Sequence, residues 1–196
     1  MQHIVEIMIK VYEQCVKKAP WLTNGATGII IAAAGDYASQ KYFEKDLLPE
    51  PEQFVWNAKR SIDMGILRAV VITPFVLAWY PFLARISPGQ TPMGVLGRIA
   101  LDQAIGSPLV ISLVFAGNAL LSNTLSSLPN TFKQQFFTTW LTGAKYWPFV
   151  HCVNFGFVPL THQPLFAHVA SVYWNAVLSY YANLDKTIKS KDAAVS

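Results

Sequence analysis

Apolar positions in this chain come in long blocks separated by short polar breaks, and the blocks are longer than the core helices of a water-soluble domain require. Residues 3 to 19 form the exception. Set at 100° per residue, His3, Glu6, Lys10, Glu13 and Lys17 share one narrow face, and Ile4, Met8, Val11, Tyr12, Cys15 and Val16 share the other, which predicts an amphipathic helix. Such a helix either packs on the rest of the chain or lies in the headgroup region of a bilayer. Ala19 to Gly35 then carries no formal charge, and the helical pattern runs on to about Phe43. That length suffices to cross a bilayer, which needs about 20 mostly apolar residues. Gly28, Ala32, Asp36 and Gln40 recur every four residues and make one small-to-polar stripe, suited to another helix or water and not to lipid.

Glu44 to Gln53, with five charges and two prolines, reads as an exposed loop. A second helix is expected from about Phe54 to Arg85, kinked at Pro74 and Pro81, and a third from about Met93 to Ser122 after the break at Ser87 to Pro92. Gln103 to Phe132 is 30 residues without a formal charge, followed by the last 39-residue uncharged run from Tyr146 to Leu184. As one helix that run would measure about 58 Å, twice the hydrocarbon thickness. It must fold back, and Pro159 and Pro164 mark the place, giving helices from about Phe132 to Phe157 and from about Gln163 to Leu184. A turn is expected at Ser126 to Asn130.

The pattern therefore specifies an all-α, polytopic membrane bundle of about four passes. It is organised as one domain: an amphipathic helix over 1–19, a bundle over 20–185 and a polar tail over 186–196. Composition agrees, because 53% of the 196 residues are hydrophobic and 13% charged, against about 25% charged in soluble domains. The net charge of +4 comes from scattered Lys and Arg, without the basic patch of a nucleic-acid binder. Membrane lipid is the expected partner and nucleic acid is not.

Ionisable groups within apolar segments cost about 2.5–3.5 kcal/mol each on insertion scales, so they pair or face water. Asp36, Asp63, Arg68, Asp102 and Lys145 are such groups. They mark either a solute path between helices or packing seams. Ser171, Asn175, Ser179 and Asn183 form a polar stripe on the last helix, and Asp36 with Gln40 and Asp102 with Gln103 are candidates for facing walls. The pore-lining or buried polar candidates are thus Asp36, Gln40, Arg68, Asp102, Gln103, Asn154, Asn175 and Ser179. Cys15 and Cys152 have no metal-ligand spacing, and His151, His162 and His168 fall on no common i, i+3 or i, i+4 face. No catalytic constellation, metal site or cofactor site is expected, and each histidine reads as a packed or interfacial one.

Residues from about Tyr12 to Leu184 resemble the family of Mpv-seventeen and the twenty-two-kilodalton peroxisomal membrane protein. The resemblance is carried by Trp147-Pro148, Asn154-Phe155, Val158-Pro159-Leu160, Trp174-Asn175 and Leu178-Ser179, and upstream by Gly35-Asp36, Gln40, Trp79-Tyr80, Pro88-Gly89 and Asp102-Gln103. The chain departs from the family pattern at Ala144, at His151 and at Gln163, which stands where relatives tend to carry an arginine. The resemblance implies an integral protein of the mitochondrial inner membrane, with the peroxisomal membrane as the alternative. It implies a weakly selective channel for small solutes, and self-association is compatible with the small residues of the first span. The competing expectation is a non-conducting structural or adaptor protein whose polar stripes are packing seams.

Overall fold

The computed structural model describes residues 2–44 and 55–175, so the expected loop at Glu44 to Gln53 and the chain beyond Asn175 lie essentially outside the described residues. The described residues form six helices and no strand. They are α1 (Gln2–Lys18), α2 (Pro20–Ala38, continued by a π-helical turn at Ser39–Glu44), α3 (Ala58–Ile86), α4 (Pro92–Leu121), α5 (Leu128–Phe157) and α6 (163–175).

Each boundary has a local cause. Pro20 forces Ala19 out of helical geometry (φ −146°, ψ 71°) and starts α2 at a position where a missing N–H costs nothing. Asn57 opens α3 by accepting from the Arg60 amide, and Thr91 opens α4 by accepting from the Gly94 amide at 3.2 Å. Between α3 and α4 the chain turns at Gly89, whose φ of +85° suits glycine. Asn123, with φ 54°, ends α4 in a Schellman arrangement. The Thr124 amide donates to the Ala119 carbonyl (2.7 Å) and the Asn123 amide to Leu120 (3.1 Å). The turn expected at Ser126 to Asn130 falls earlier, and α5 already begins at Leu128 with Pro129 in its first turn. Pro159 stops α5, and the fold-back to α6 is clamped by two amide side chains. Asn154 donates to the Gln163 carbonyl (3.4 Å) and Gln163 to the Val158 carbonyl (3.1 Å).

Two further π-helical turns interrupt α3 at Arg68–Ile72 and α4 at Asp102–Gly106, where the Thr73 and Ser107 amides reach back five residues to the Arg68 and Asp102 carbonyls. Each wide turn stands directly before a proline region, Pro74 or Pro108. A proline lacks an N–H and crowds the carbonyl four residues back, so the extra residue relieves the helix where it would otherwise kink. It also re-aims the side chains that begin it, Arg68 and Asp102, and frees the Gln103 carbonyl to accept from Trp140 of α5 at 3.1 Å.

α2 packs along α3, α4 along α5, and α1 on α2. The buried residues are as often polar as apolar: Asn24, Asp36, Gln40, Ser61, Thr73, Arg98, Asp102, His151, Asn154, Gln163 and His168 all lie inside. Large apolar side chains such as Ile30, Ile62, Val70, Met93, Leu96, Phe137, Phe149 and Val169 lie outside on every helix from α2 to α6. Water would penalise that inversion, since exposed apolar patches of this extent drive association. Lipid tails tolerate it, being as apolar as leucine, and the polar interior then holds the helices together. The chain is an all-α membrane protein. Its α3 and α4 are 29 and 30 residues long, each contains an 18-residue stretch of mean hydropathy 1.8, and each is sufficient to span a bilayer by length and composition.

The apolar face of α1 is only partly covered. Val16 is buried, Tyr12 donates to Asn24 Oδ1 at 3.2 Å, and Ile7, Ile9 and Val11 remain exposed. Burial pushes the Tyr12 phenol up from its usual value, so it stays a donor. Tyr12→Phe is expected to cost about 1 kcal/mol, the net contribution of one hydrogen bond, in denaturant unfolding of the detergent-solubilised protein. The small stripe of α2 is spent within the chain. A Cβ on Gly28 would stand 3.0 Å from Arg68 Cγ, and one on Gly35 would stand 3.0 Å from Val172. Self-association would therefore have to use other faces than this stripe.

Candidate functional site

Two separate polar assemblies occupy the interior. The first is a closed knot between α2 and α3. Asp36 Oδ2 accepts from Gln40 Nε2 (2.7 Å) and Ser61 Oγ (2.7 Å), and Oδ1 accepts from Arg60 Nε (2.8 Å) and Nη2 (2.7 Å). Gln40 spends its carbonyl oxygen on the Asn57 amide at 2.8 Å, and Trp56 donates to Ser61 at 3.0 Å. Every lone pair of the carboxylate that geometry can reach is used, so the knot has the character of a fastening. Ion-pair burial of this kind is tolerable because donors surround the charge.

The second is a cavity of ≈ 160 Å³ lined by α2, α3, α4, α5 and α6. Most of its wall is apolar or aromatic, including Phe75, Trp79, Trp147 and Trp174, and its polar groups include Arg68, Asp102, His151, His168, Ser171 and Asn175. Asp102 is held from three sides: Trp79 Nε1 donates to Oδ1 (2.9 Å), and His151 Nε2 (3.1 Å) and Gln103 Nε2 (3.2 Å) donate to Oδ2. His151 donates to Asp102 through Nε2–H, and its buried Nδ1 has no partner among the described residues. The His151 ring is stacked on Phe155 at 4.7 Å and on Trp147 at 5.4 Å. His168, 1% exposed, stands with Nε2 at 3.5 Å from Thr73 Oγ1, and its Nδ1 is likewise unpartnered. Arg68 is half-buried, and among the described residues it has neither a hydrogen-bond partner nor a carboxylate in ion-pair range.

The candidates read from sequence thus divide. Arg68, Asp102 and Asn175 line the cavity; Asp36 and Gln40 sit in the knot and not on its wall. Asn154, fully buried, serves the α5–α6 clamp, and Gln103 stands behind Asp102. Ser179 and Asn183 lie outside the described residues. Asp63 pairs with Lys59 at the surface, and Lys145 is exposed on α5. Sequence reasoning did not bring His151, His168, Thr73, Tyr80 and the three tryptophans into one site, because they come from three helices related by folding alone. It also passed over Arg98, 6% exposed, whose guanidinium donates to the carbonyls of Ser87 (2.8 Å), Gly89 and Phe155 (3.5 Å) and ties the α3–α4 turn to α5. Among the described residues no group of three or more His, Cys, Asp or Glu is placed to hold a metal ion.

Residues 119–179 match the model of the Mpv17 / PMP22 family. The chain is 30% identical to the protein sym-1 of Neurospora crassa over 88% of its own length and 98% of that protein. It is similarly 30% identical to the mitochondrial inner membrane protein Mpv17 of Danio rerio, over 88% of this chain and 95% of that one. The Mpv17-like protein of Xenopus laevis is 28% identical over 90% and 84% of the two chains. No solved structure matches.

Proposed function

The chain belongs to the Mpv17 / PMP22 family as an organellar protein of the mitochondrial inner membrane, and from that premise we propose that it is a weakly selective conduit for small solutes centred on the five-helix cavity. The observation that carries this reading is one cation and one carboxylate, not in ion-pair contact, on the lining of one cavity. Arg68 approaches from the wide turn of α3 and Asp102 from the wide turn of α4. A pore lined by a ring of one sign selects strongly for the other sign. One cation and one carboxylate facing the same space leave little net field, so small solutes of either charge are admitted with slight preference. The aromatic wall restricts passage by size.

Direction follows from the same balance. Asp102→Asn keeps an acceptor for Trp79 but removes the negative charge, leaving Arg68 as the net charge of the wall. In planar bilayers under a salt gradient the reversal potential of this variant is expected to move toward anion preference. An unchanged reversal potential in a folded, conducting variant would remove Asp102 from the path.

The Asp36–Arg60 knot favours a purely structural role for that end of the bundle. It is the feature on which a non-conducting adaptor reading would rest. In that case cavity substitutions would change stability and leave flux untouched.

A further inference from the structure

The charge pattern of the cavity is incomplete, and the missing part has a definite chemistry. Asp102 is satisfied by three donors. Arg68 has no carboxylate in ion-pair range among the described residues, although its stem lies against Gly28 of α2 and it lines a cavity whose wall is mostly apolar. A guanidinium held at membrane depth without an anion is costly, and protein interiors normally supply one. Beside it, His168 is almost wholly buried; its ring is held by the Asn24 backbone and by Thr73, and only its Nδ1 has no partner among the described residues.

We infer that Arg68 anchors a small monocarboxylate with an apolar body, seated in the cavity with its charge on the guanidinium and its body among Phe75, Trp147 and Trp174. The inference rests on the conduit reading in that it names the solute class the same cavity retains. Three properties choose this ligand. The guanidinium fork matches a carboxylate in two parallel hydrogen bonds. A single cation balances one negative charge, and among the described residues the wall has neither a second cation nor a glycine-rich cradle of backbone amides such as a phosphate dianion requires. The volume of ≈ 160 Å³ leaves room for a small organic body beside the guanidinium.

Equilibrium binding tests this without reference to conductance. The full chain in nanodiscs is titrated with sodium butyrate, with neutral butyramide and with inorganic phosphate, and the emission of its tryptophans, three of which line the cavity, is followed at constant ionic strength. Butyrate is expected to give a saturable change, and butyramide and phosphate are expected to give none in the same range. Arg68→Gln should weaken butyrate by about tenfold or more, the loss of one charged hydrogen-bonding group, and Arg68→Lys should retain part of the affinity. Equal response to butyrate and butyramide in the unaltered protein would overturn the inference without any variant having to fold. So would equal butyrate affinity in Arg68→Gln, or saturable phosphate binding of the same strength. Failure of butyrate to bind, with conductance intact, would dismiss the ligand and leave the conduit standing.

Discussion

Replacing Asp36 by alanine is expected to lower the stability of the detergent-solubilised protein by about 3 kcal/mol, the lower end of the range for breaking a buried ion pair. The carboxylate receives donors from Arg60, Gln40 and Ser61, and its removal leaves the buried amide of Gln40 and hydroxyl of Ser61 with fewer partners. The lower end applies because the Arg60 side chain is 32% exposed and can turn toward water or headgroups. Hydrophobic burial cannot compensate in a bilayer, where the lipid is as apolar as the interior, so polar fastenings between α2 and α3 carry more of the helix association than they would in water. The double change Asp36→Leu with Arg60→Met should recover part of the loss, since it leaves neither member of this ion pair without the other. Denaturant unfolding followed by tryptophan emission reads both. If Asp36→Ala alone unfolds like the unaltered chain, the knot is not a fastening.

Gly106→Val is expected to do comparable damage at the other assembly. A Cβ at Gly106 would lie 2.5 Å from Trp79 Nε1 and 2.7 Å from Asp102 Oδ1, inside the hydrogen bond that joins α3 to α4. Both neighbours must move. Loss of a hydrogen bond to a charged acceptor costs about 1.5–3 kcal/mol, and overpacking adds about 1–3 kcal/mol. A folded Gly106→Val protein should therefore melt at lower temperature and also show altered conductance, because Asp102 is displaced. Trp79→Phe, which deletes the donor without crowding, separates the two: it should reproduce the hydrogen-bond part of the loss alone. Equal melting of Gly106→Val and unaltered protein would mean that the π-helical turn relaxes around the added methyls.

The helices themselves were legible because their limits are written in prolines, charges and turn residues. The uncharged 39-residue run had to bend, Pro159 and Pro164 gave the position, and α5 does leave its helix at Val158. The inward face of α2 was legible from the four-residue repeat of Gly28, Ala32, Asp36 and Gln40, all of which are buried. What could not be read was partnership. Asp36 finds Arg60, 24 residues on and across a charged loop, and nothing in their spacing announces it. The sequence placed Asp36 and Asp102 in one polar interior, whereas the structure separates them into a hydrogen-bonded fastening and a cavity. The π-helical turns explain part of the difference. Helical phase at 100° per residue fails where a wide turn inserts an extra residue, and those turns begin at Arg68 and Asp102. His151 and His168 share no helix face, yet both line the cavity because α6 folds back on α5.

The central claim is that the cavity is a water-connected passage, and cysteine accessibility at its wall tests it most directly. Ser107 lines the cavity and makes no side-chain hydrogen bond among the described residues, so Ser107→Cys should fold. The two native cysteines, both exposed, are first changed to serine. In bilayers, a small membrane-impermeant thiol reagent added from the aqueous side is predicted to label Cys at this position and to reduce conductance to about a tenth or less, as expected for a bulky charged group in a constriction. A folded protein that conducts undiminished after complete labelling, or whose cysteine reacts only after unfolding, would contradict the account.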